Sequence, residues 1–208
     1  MIGELLKRAL DRIVPGGRVL TRGRTPHVFL TFDDGPHPEV TPRVLDALAE
    51  ANVRATFFVI GRAASDHPAL VRRAFDEGHT IGHHSFTHGN PARTDSSTLA
   101  REASATAALL TPILGRPPRL FRPPRGSMSV SKLGRLLLLG QSVVFWSLDP
   151  RDYACASEAA VAATLAARPP RARDIVLLHD DNPHLPAALP AYFARVRESG
   201  LEFSALPG

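Results

Sequence analysis

The sequence is poor in cysteine and aromatic residues and contains no long apolar run. Of its 208 residues, 6% are aromatic and 22% are charged. Because Cys155 is the only cysteine, no disulfide can form within the chain, which is compatible with a reducing compartment. A signal peptide or a transmembrane span needs a continuous apolar stretch. We therefore expect no transmembrane segment and a cytoplasmic location, or export if a leader has been removed.

The positive charge does not indicate a nucleic-acid partner. The formal net charge is +5, but the arginines are scattered and are not interleaved with aromatic residues as a binding stripe requires. We therefore expect no binding to nucleic acid. An arginine-rich composition, or a mildly acidic ligand such as an anionic glycan, accounts better for the excess.

Residues 1–20 contain an amphipathic pattern over Ile2–Val14. Its apolar members recur at helical spacing, with charged residues elsewhere on the wheel: Ile2, Leu5, Leu6, Ala9, Leu10 and Ile13. The favoured interpretation is a helix that packs on the domain and closes one end of it. Weak contact with a membrane surface or a partner is the alternative.

Strand patterns alternate with helical patterns through the whole chain. The predicted strands are 28–32, 55–60, 79–82, 120–122, 143–147 and 175–178, with a short one near Phe203. The predicted helices are 40–51, 69–77, 96–114, 129–139, 158–167 and 185–199. This order, without a dividing linker, predicts a single α/β domain over residues 1–208 with a mainly parallel sheet. A distorted, incomplete (β/α) barrel fits it best.

Polar side chains follow five of these strands at their carboxyl ends, where α/β folds carry their chemistry. They are Asp33, Asp34, His84, His88, Arg122, Asp149, Asp152 and His179. One carboxylate and two imidazoles can bind a divalent metal while leaving a position open for water or substrate. A second carboxylate beside them can accept a proton from that water. The pattern therefore predicts a metal-dependent hydrolase, with zinc as the expected ion and cobalt, manganese or nickel as alternatives.

From about Val28 to Leu206, the chain resembles the polysaccharide deacetylase family, also called the NodB-homology domain or carbohydrate esterase family four. Five motifs in family order carry the resemblance: Thr31–Pro36, His84–His88, Arg122–Gly126, Asp149–Tyr153 and Leu177–His179. The resemblance implies that Asp33 is the general base, and that Asp34, His84 and His88 bind the metal.

The resemblance also implies roles for the other motif residues. His179 would protonate the leaving amine with Asp152 as its partner, and Arg122 would orient Asp33 and favour its ionised form. The backbone N–H of Arg125 would donate to the oxyanion. Tyr153 and Leu177 would receive the acetyl methyl group.

Some positions depart from the family pattern or carry a weaker signal. Arg125 stands where tyrosine is usual, which replaces an aromatic wall with a cation able to bind carboxylate or phosphate. His83 stands where asparagine is common and is a candidate for supporting the metal loop. Trp146 ends an apolar run, which favours a place in the core.

The function implied by the resemblance is removal of N-acetyl groups from N-acetylglucosamine-type units of an oligosaccharide or polysaccharide. Hydrolysis of another small amide or of an O-acetyl ester is an alternative, since the same water and oxyanion hole serve any acyl transfer. A non-catalytic glycan-binding module is a third possibility.

Overall fold

The computed structural model describes residues 3–208; Ile2 of the predicted N-terminal helix lies outside this range. Eight helices and eight strands follow one another along the described chain. The helices are α1 (Glu4–Ile13), α2 (Val40–Glu50), α3 (Gly61–Asp66), α4 (Pro68–Asp76), α5 (Ser96–Leu114), α6 (Val130–Leu138), α7 (Glu158–Ala167) and α8 (Leu185–Glu198). The strands are β1 (Val19–Leu20), β2 (Val28–Asp33), β3 (Thr56–Val59), β4 (Thr80–His83), β5 (Leu120–Phe121), β6 (Ser142–Val144), β7 (Ile175–His179) and β8 (Phe203–Ser204).

The strands form one parallel sheet in the order β1-β6-β5-β4-β3-β2-β7, and β8 pairs with β2. The sheet curls, because the segment after β6 reaches the opposite edge. The N–H groups of Ser147 and Leu148 donate to the carbonyl of Ile175, and Leu148 accepts from Leu177. The predicted distorted (β/α) barrel is confirmed.

The apolar runs that predict strands are fully buried. Every residue of β2 and of β7 lies in the interior, as expected for parallel strands covered on both faces. The largest core cluster packs these strands against α2, α7 and α8. This rigid centre places the ends of β2 and β7 side by side.

Two short elements were not predicted. β1 has two residues, and α3 has six and opens immediately after β3. Neither segment contains an apolar run or a helical repeat that distinguishes it from a loop. The strand expected over 143–147 ends at Val144, so Phe145 and Trp146 belong to the loop that follows it.

Helix α1 packs on the domain through its polar face rather than through its apolar stripe. The buried residues of α1 are Lys7 and Asp11, whereas Leu5 and Ile13 are exposed. Asp11 accepts hydrogen bonds from the backbone N–H of Thr21, at 2.9 Å, and from its hydroxyl, at 2.6 Å. These specific polar contacts, rather than apolar burial, determine which face of α1 meets the domain.

Candidate active site

The register of the sheet brings two site residues together. Asp33, the last residue of β2, is paired with His179, the last residue of β7. β3 and β4 end on the other side of β2, and the loop after β4 carries His84 and His88. The carboxyl ends of parallel strands therefore gather these side chains at one edge.

Asp33 is buried and held by Arg122. Its Oδ1 accepts a hydrogen bond from Nη1 of Arg122 at 2.7 Å, and the same Nη1 donates to the hydroxyl of Thr31 at 2.7 Å. The Arg122 side chain is completely buried, with its guanidinium 4.1 Å from the centre of the Phe58 ring. The hydrogen bond from Arg122 fixes the position of Oδ1 of Asp33.

Arg122 favours the ionised form of Asp33, but burial of the carboxyl group outweighs this effect. Burial raises the pKa of Asp33 above its usual range, although the charge and hydrogen bond of Arg122 act in the opposite direction. The buried carboxylate consequently holds a proton more readily than a free aspartate does. That property suits a group that must accept a proton near neutral pH.

Asp34, His84 and His88 form a compact group. Oδ1 of Asp34 lies 3.7 Å from Nε2 of His84 and 3.5 Å from Nε2 of His88. The Nδ1–H of His84 is set to donate to the carbonyl of Arg122 at 2.7 Å, which leaves Nε2 as the free lone pair. Burial lowers the pKa of His84 to about 3, so this imidazole is neutral, as a metal ligand must be.

This group fits a divalent metal ion. The ligand atoms of the three residues all lie within 4.8 Å of one another, and atoms bound at about 2.1 Å to one tetrahedral ion are about 3.4 Å apart. Oδ1 of Asp34 is buried and has no hydrogen-bond partner among the described residues. A buried acceptor without a donor is costly, and a cation would satisfy it.

The backbone around the site is strained. Seven non-glycine residues in the described chain have positive φ, and five of them lie in the site loops: Asp34, Ser85, His88, Arg125 and Arg151. Such conformations cost about 1–3 kcal/mol each and persist where the surroundings enforce them. Two of the three possible metal ligands belong to this set.

Asp180 holds the turn that carries Asp34. It is buried, accepts from the backbone N–H of Gly35 at 3.0 Å, and accepts from the hydroxyl of Thr41 at 2.6 Å. A Cβ at position 35 would lie 2.0 Å from Asp180 Oδ2, so only glycine allows this approach. From its position after His179, Asp180 is expected only to shape that loop, because no local pattern pairs it with a turn 145 residues away.

His179 and Asp152 form the second half of the site. Nδ1 of His179 lies 2.9 Å from Oδ1 of Asp152, and Oδ2 of Asp152 accepts from the backbone N–H of His179 at 2.9 Å. Burial opposes the imidazolium, but the hydrogen bond and charge of Asp152, with the charges of Asp33 and Asp34, outweigh it. The pKa of His179 is raised to about 9.

These groups border one cavity of about 470 Å³. It is lined by Asp33, Asp34, His84, His88, Arg125, Trp146, Asp149, Tyr153, Leu177, His179 and Asp181. Eight of the ten predicted site residues line it, and the other two, Arg122 and Asp152, are buried behind it. The Tyr153 ring packs edge-on against His179, with centroids 5.1 Å apart.

Two sequence-based interpretations need correction. Trp146 lines the cavity, because β6 ends two residues earlier and leaves the indole in a loop. His83 does not support the metal loop directly. It ends β4 with its ring against Phe121, and its Nε2 lies 2.9 Å from Oε1 of Gln141.

Known proteins share both the sequence pattern and the fold. The polysaccharide deacetylase family profile matches residues 21–144. A chitooligosaccharide deacetylase from Rhizobium leguminosarum bv. trifolii is 40% identical over 158 residues, covering 76% of this chain and 73% of its own. A peptidoglycan-N-acetylglucosamine deacetylase from Bacillus cereus is 33% identical over 186 residues, covering 85% and 68%.

A solved structure of a carbohydrate esterase has the same fold as this chain. The family 4 carbohydrate esterase from Streptomyces lividans superimposes with a TM-score of 0.79 at 31% identity, covering 88% of this chain and 93% of that one. The profile match spans more than half of the chain, and both relatives align with more than two thirds of it. The chain therefore belongs to the polysaccharide deacetylase family.

Proposed function

We propose that the protein hydrolyses the acetamide of N-acetylglucosamine-type units in an oligosaccharide or polysaccharide. The observation that carries the proposal is the meeting of two groups of side chains at one cavity. One group is the set of possible metal ligands with Asp33, and the other is His179 with its buried partner Asp152. The relatives named above are deacetylases of chitooligosaccharide and of peptidoglycan N-acetylglucosamine.

Asp34, His84 and His88 would hold the metal ion, and zinc is the ion we propose. When bound, such an ion acts as a Lewis acid toward the acetamide carbonyl and lowers the pKa of water. Two imidazole nitrogens and one carboxylate oxygen form a ligand set that zinc accepts readily. Asp33 lies outside this compact group, with its Oδ1 bonded to Arg122 and its Oδ2 left to accept a proton.

Asp33 would accept the proton of the attacking water. Its Oδ2 lies 3.6 Å from Nε2 of His84, so its free oxygen faces the ligand group. Arg122 keeps Oδ1 in place, which restricts the carboxylate to one orientation. A base held in this way needs little reorganisation when the proton moves.

His179 would donate a proton to the leaving amine. Because Asp152 engages Nδ1, the other ring nitrogen, Nε2, is the one available to substrate. With a pKa of about 9, His179 is charged at neutral pH and can act as the acid.

The remaining cavity residues would bind the acetyl group and the sugar. The backbone N–H of Arg125 is the proposed donor to the oxyanion. Tyr153 and Leu177 supply apolar surface beside His179, where the acetyl methyl group would lie. Trp146 offers a further ring to the same cavity.

The decisive experiment is acetate release from N-acetylchitooligosaccharides by metal-stripped protein with and without added zinc. We expect release to need the metal and to return when zinc is restored, with cobalt as a second ion. No release by protein that has bound zinc stoichiometrically would contradict the proposed substrate. Testing acetylated esters and other small amides would then identify the acyl group that is hydrolysed.

Changing His84 to alanine should lower metal content and activity together. The substitution removes one of three ligands, so we expect at least a tenfold loss of zinc affinity. Metal analysis after dialysis at defined free zinc measures it. His27→Ala, which removes a half-buried histidine outside the cavity, is the matched control. Full zinc occupancy of the His84 variant would remove this residue from the ligand set.

Asp152→Asn should move the alkaline limb of the activity profile to lower pH. His179 is charged below its pKa of about 9 and loses its proton above it, so activity should fall as pH rises through that value. Asparagine removes the charge that raises this pKa, while burial still lowers it. The pH dependence of kcat/KM checks the shift. An unchanged alkaline limb would mean that another group controls it.

Arg125→Tyr should change substrate preference more than turnover of a small acetamide. Arg125 lines the cavity as a cation, and tyrosine would remove the attraction for a carboxylate or phosphate on the glycan. We expect the kcat/KM ratio of anionic to neutral glycans to fall about fivefold or more. Arg93→Tyr, at an exposed arginine that does not line this cavity, is the control. Equal ratios in both variants would exclude Arg125 from substrate selection.

A further inference from the structure

Helix α1 turns its polar face toward the protein. Lys7 and Asp11, one turn apart, are its two buried residues. Nζ of Lys7 lies 4.5 Å from the centre of the Phe145 ring, and Asp11 binds Thr21. Both contacts fix the rotation of the helix about its axis.

The apolar face of α1 consequently faces solvent. Leu5 is 86% exposed, Ile13 is 69% exposed and Leu6 is 44% exposed. Among the described members of the apolar set, only Leu10 is half-buried, against the cluster that contains Val143 and Phe145. Scattered exposed leucines are ordinary on a protein surface, but an ordered helix with its apolar stripe outward is a mark of an interaction site.

Most of the exposed large apolar residues belong to two helices near the edge of the sheet formed by β1 and β6. The described chain has seven exposed large hydrophobic residues: three on α1, three on α6 or at its end, and Tyr153 in the cavity. Those of α6 are Val130, Leu138 and Leu139. Leu10 of α1 and Leu137 of α6 pack on the same core cluster, so both helices lie near this edge.

Arginines flank the helix. A surface cavity of about 490 Å³ is lined by Arg8, Asp11, Arg12, Thr21, Arg22, Arg24, Ala172 and Arg173. Five cations and one carboxylate border it. Arg8 and Arg12 have no hydrogen bond or ion pair within residues 3–208, and all five arginines are exposed. Unpaired guanidinium groups beside an apolar stripe can bind phosphate.

We propose that α1 and the flanking arginines bind the surface of an anionic lipid bilayer. A helix with an apolar face and a cationic flank lies in the plane of the membrane interface, where lipid phosphates meet the cations and acyl chains receive the apolar side chains. The helix is 10 residues long, and no helix of the described chain could cross a membrane. The contact is therefore at the surface.

Charge favours lipid over a second copy of the chain. A symmetric dimer formed through this face would bring two sets of five arginines together. Anionic lipid headgroups instead supply the opposite charge. The inference concerns binding alone and does not depend on the proposed reaction.

Co-sedimentation with vesicles tests the proposal. We expect the protein to bind vesicles of phosphatidylcholine with 30% phosphatidylglycerol, to bind pure phosphatidylcholine at least tenfold more weakly, and to detach in high salt.

Leu5→Ser/Ile13→Ser should lower binding at least tenfold. Arg8→Glu/Arg12→Glu should lower it by about fivefold or more per arginine. Arg54→Glu/Arg195→Glu, at two exposed arginines outside α1, makes the same charge change and should retain most of the binding.

Circular dichroism establishes that each variant is folded, and acetate release from a soluble oligosaccharide should be unchanged in the α1 variants. Displacement from vesicles by millimolar inorganic phosphate would point to a free anion site instead of a membrane. Equal binding to neutral and anionic vesicles, or equal loss in the α1 and control charge variants, would overturn the proposal. So would a dimer that the serine variants dissociate in the absence of vesicle binding.

Discussion

Asp33→Asn is expected to lower acetate release by about 10²–10⁴-fold, the range for removal of a general base. Metal content should not change. Asparagine keeps the shape of the side chain and an oxygen that can accept from Arg122, but its amide cannot take a proton from water. Because Asp33 lies outside the candidate ligand group and its Oδ1 is bonded to Arg122, we expect the substitution to remove no ligand.

The measurement pairs steady-state acetate release with zinc analysis of the same sample. Asp181→Asn is the matched control, since Asp181 is an exposed carboxylate lining the same cavity. We expect it to retain most activity. Unchanged turnover in Asp33→Asn would contradict the base assignment, and loss of zinc would place Asp33 among the ligands.

His179→Asn is expected to separate amide from ester hydrolysis. Its amide nitrogen takes the place of Nδ1 and can still bond to Asp152, but the group corresponding to Nε2 is gone. An amine must be protonated to leave, whereas the aryloxide of an aryl acetate leaves as a stable anion. We therefore expect a loss of about 10²–10⁴-fold on N-acetylglucosamine oligomers and less than about tenfold on an aryl acetate.

The comparison of two substrates on one variant makes this test independent of folding. A general loss of structure would lower both rates together, while loss of the acid lowers mainly the amide rate. His67→Asn, at a half-buried histidine outside the cavity, should leave both rates unchanged. Equal losses on both substrates in His179→Asn would mean that His179 is not the acid.

The sequence alone was sufficient to predict the alternation of strands and helices and to identify the residues that form the candidate metal group. Apolar runs such as Val28–Phe32 have the length and the β-branched and aromatic content of buried strands. Chemistry-bearing residues follow the strands directly, so the order of elements determined which edge of the sheet they share. The family resemblance then assigned their expected roles. Cellular location and the site roles stay predictions.

Tertiary structure decided what depends on contacts between distant residues. The hydrogen bond from Gly35 to Asp180 spans 145 positions, and no local pattern records it. The balance of burial against charge sets the pKa of Asp33 and of His179, and burial is a property of the whole fold.

Helix α1 shows most clearly what a sequence pattern determines and what tertiary contacts determine. Its periodicity determined that a helix forms and which residues share a stripe. The direction in which the stripe points depended on Asp11 meeting Thr21, and Lys7 meeting the Phe145 ring. A pattern of period 3.6 specifies a face but not its neighbour, because the neighbour is supplied by the rest of the chain.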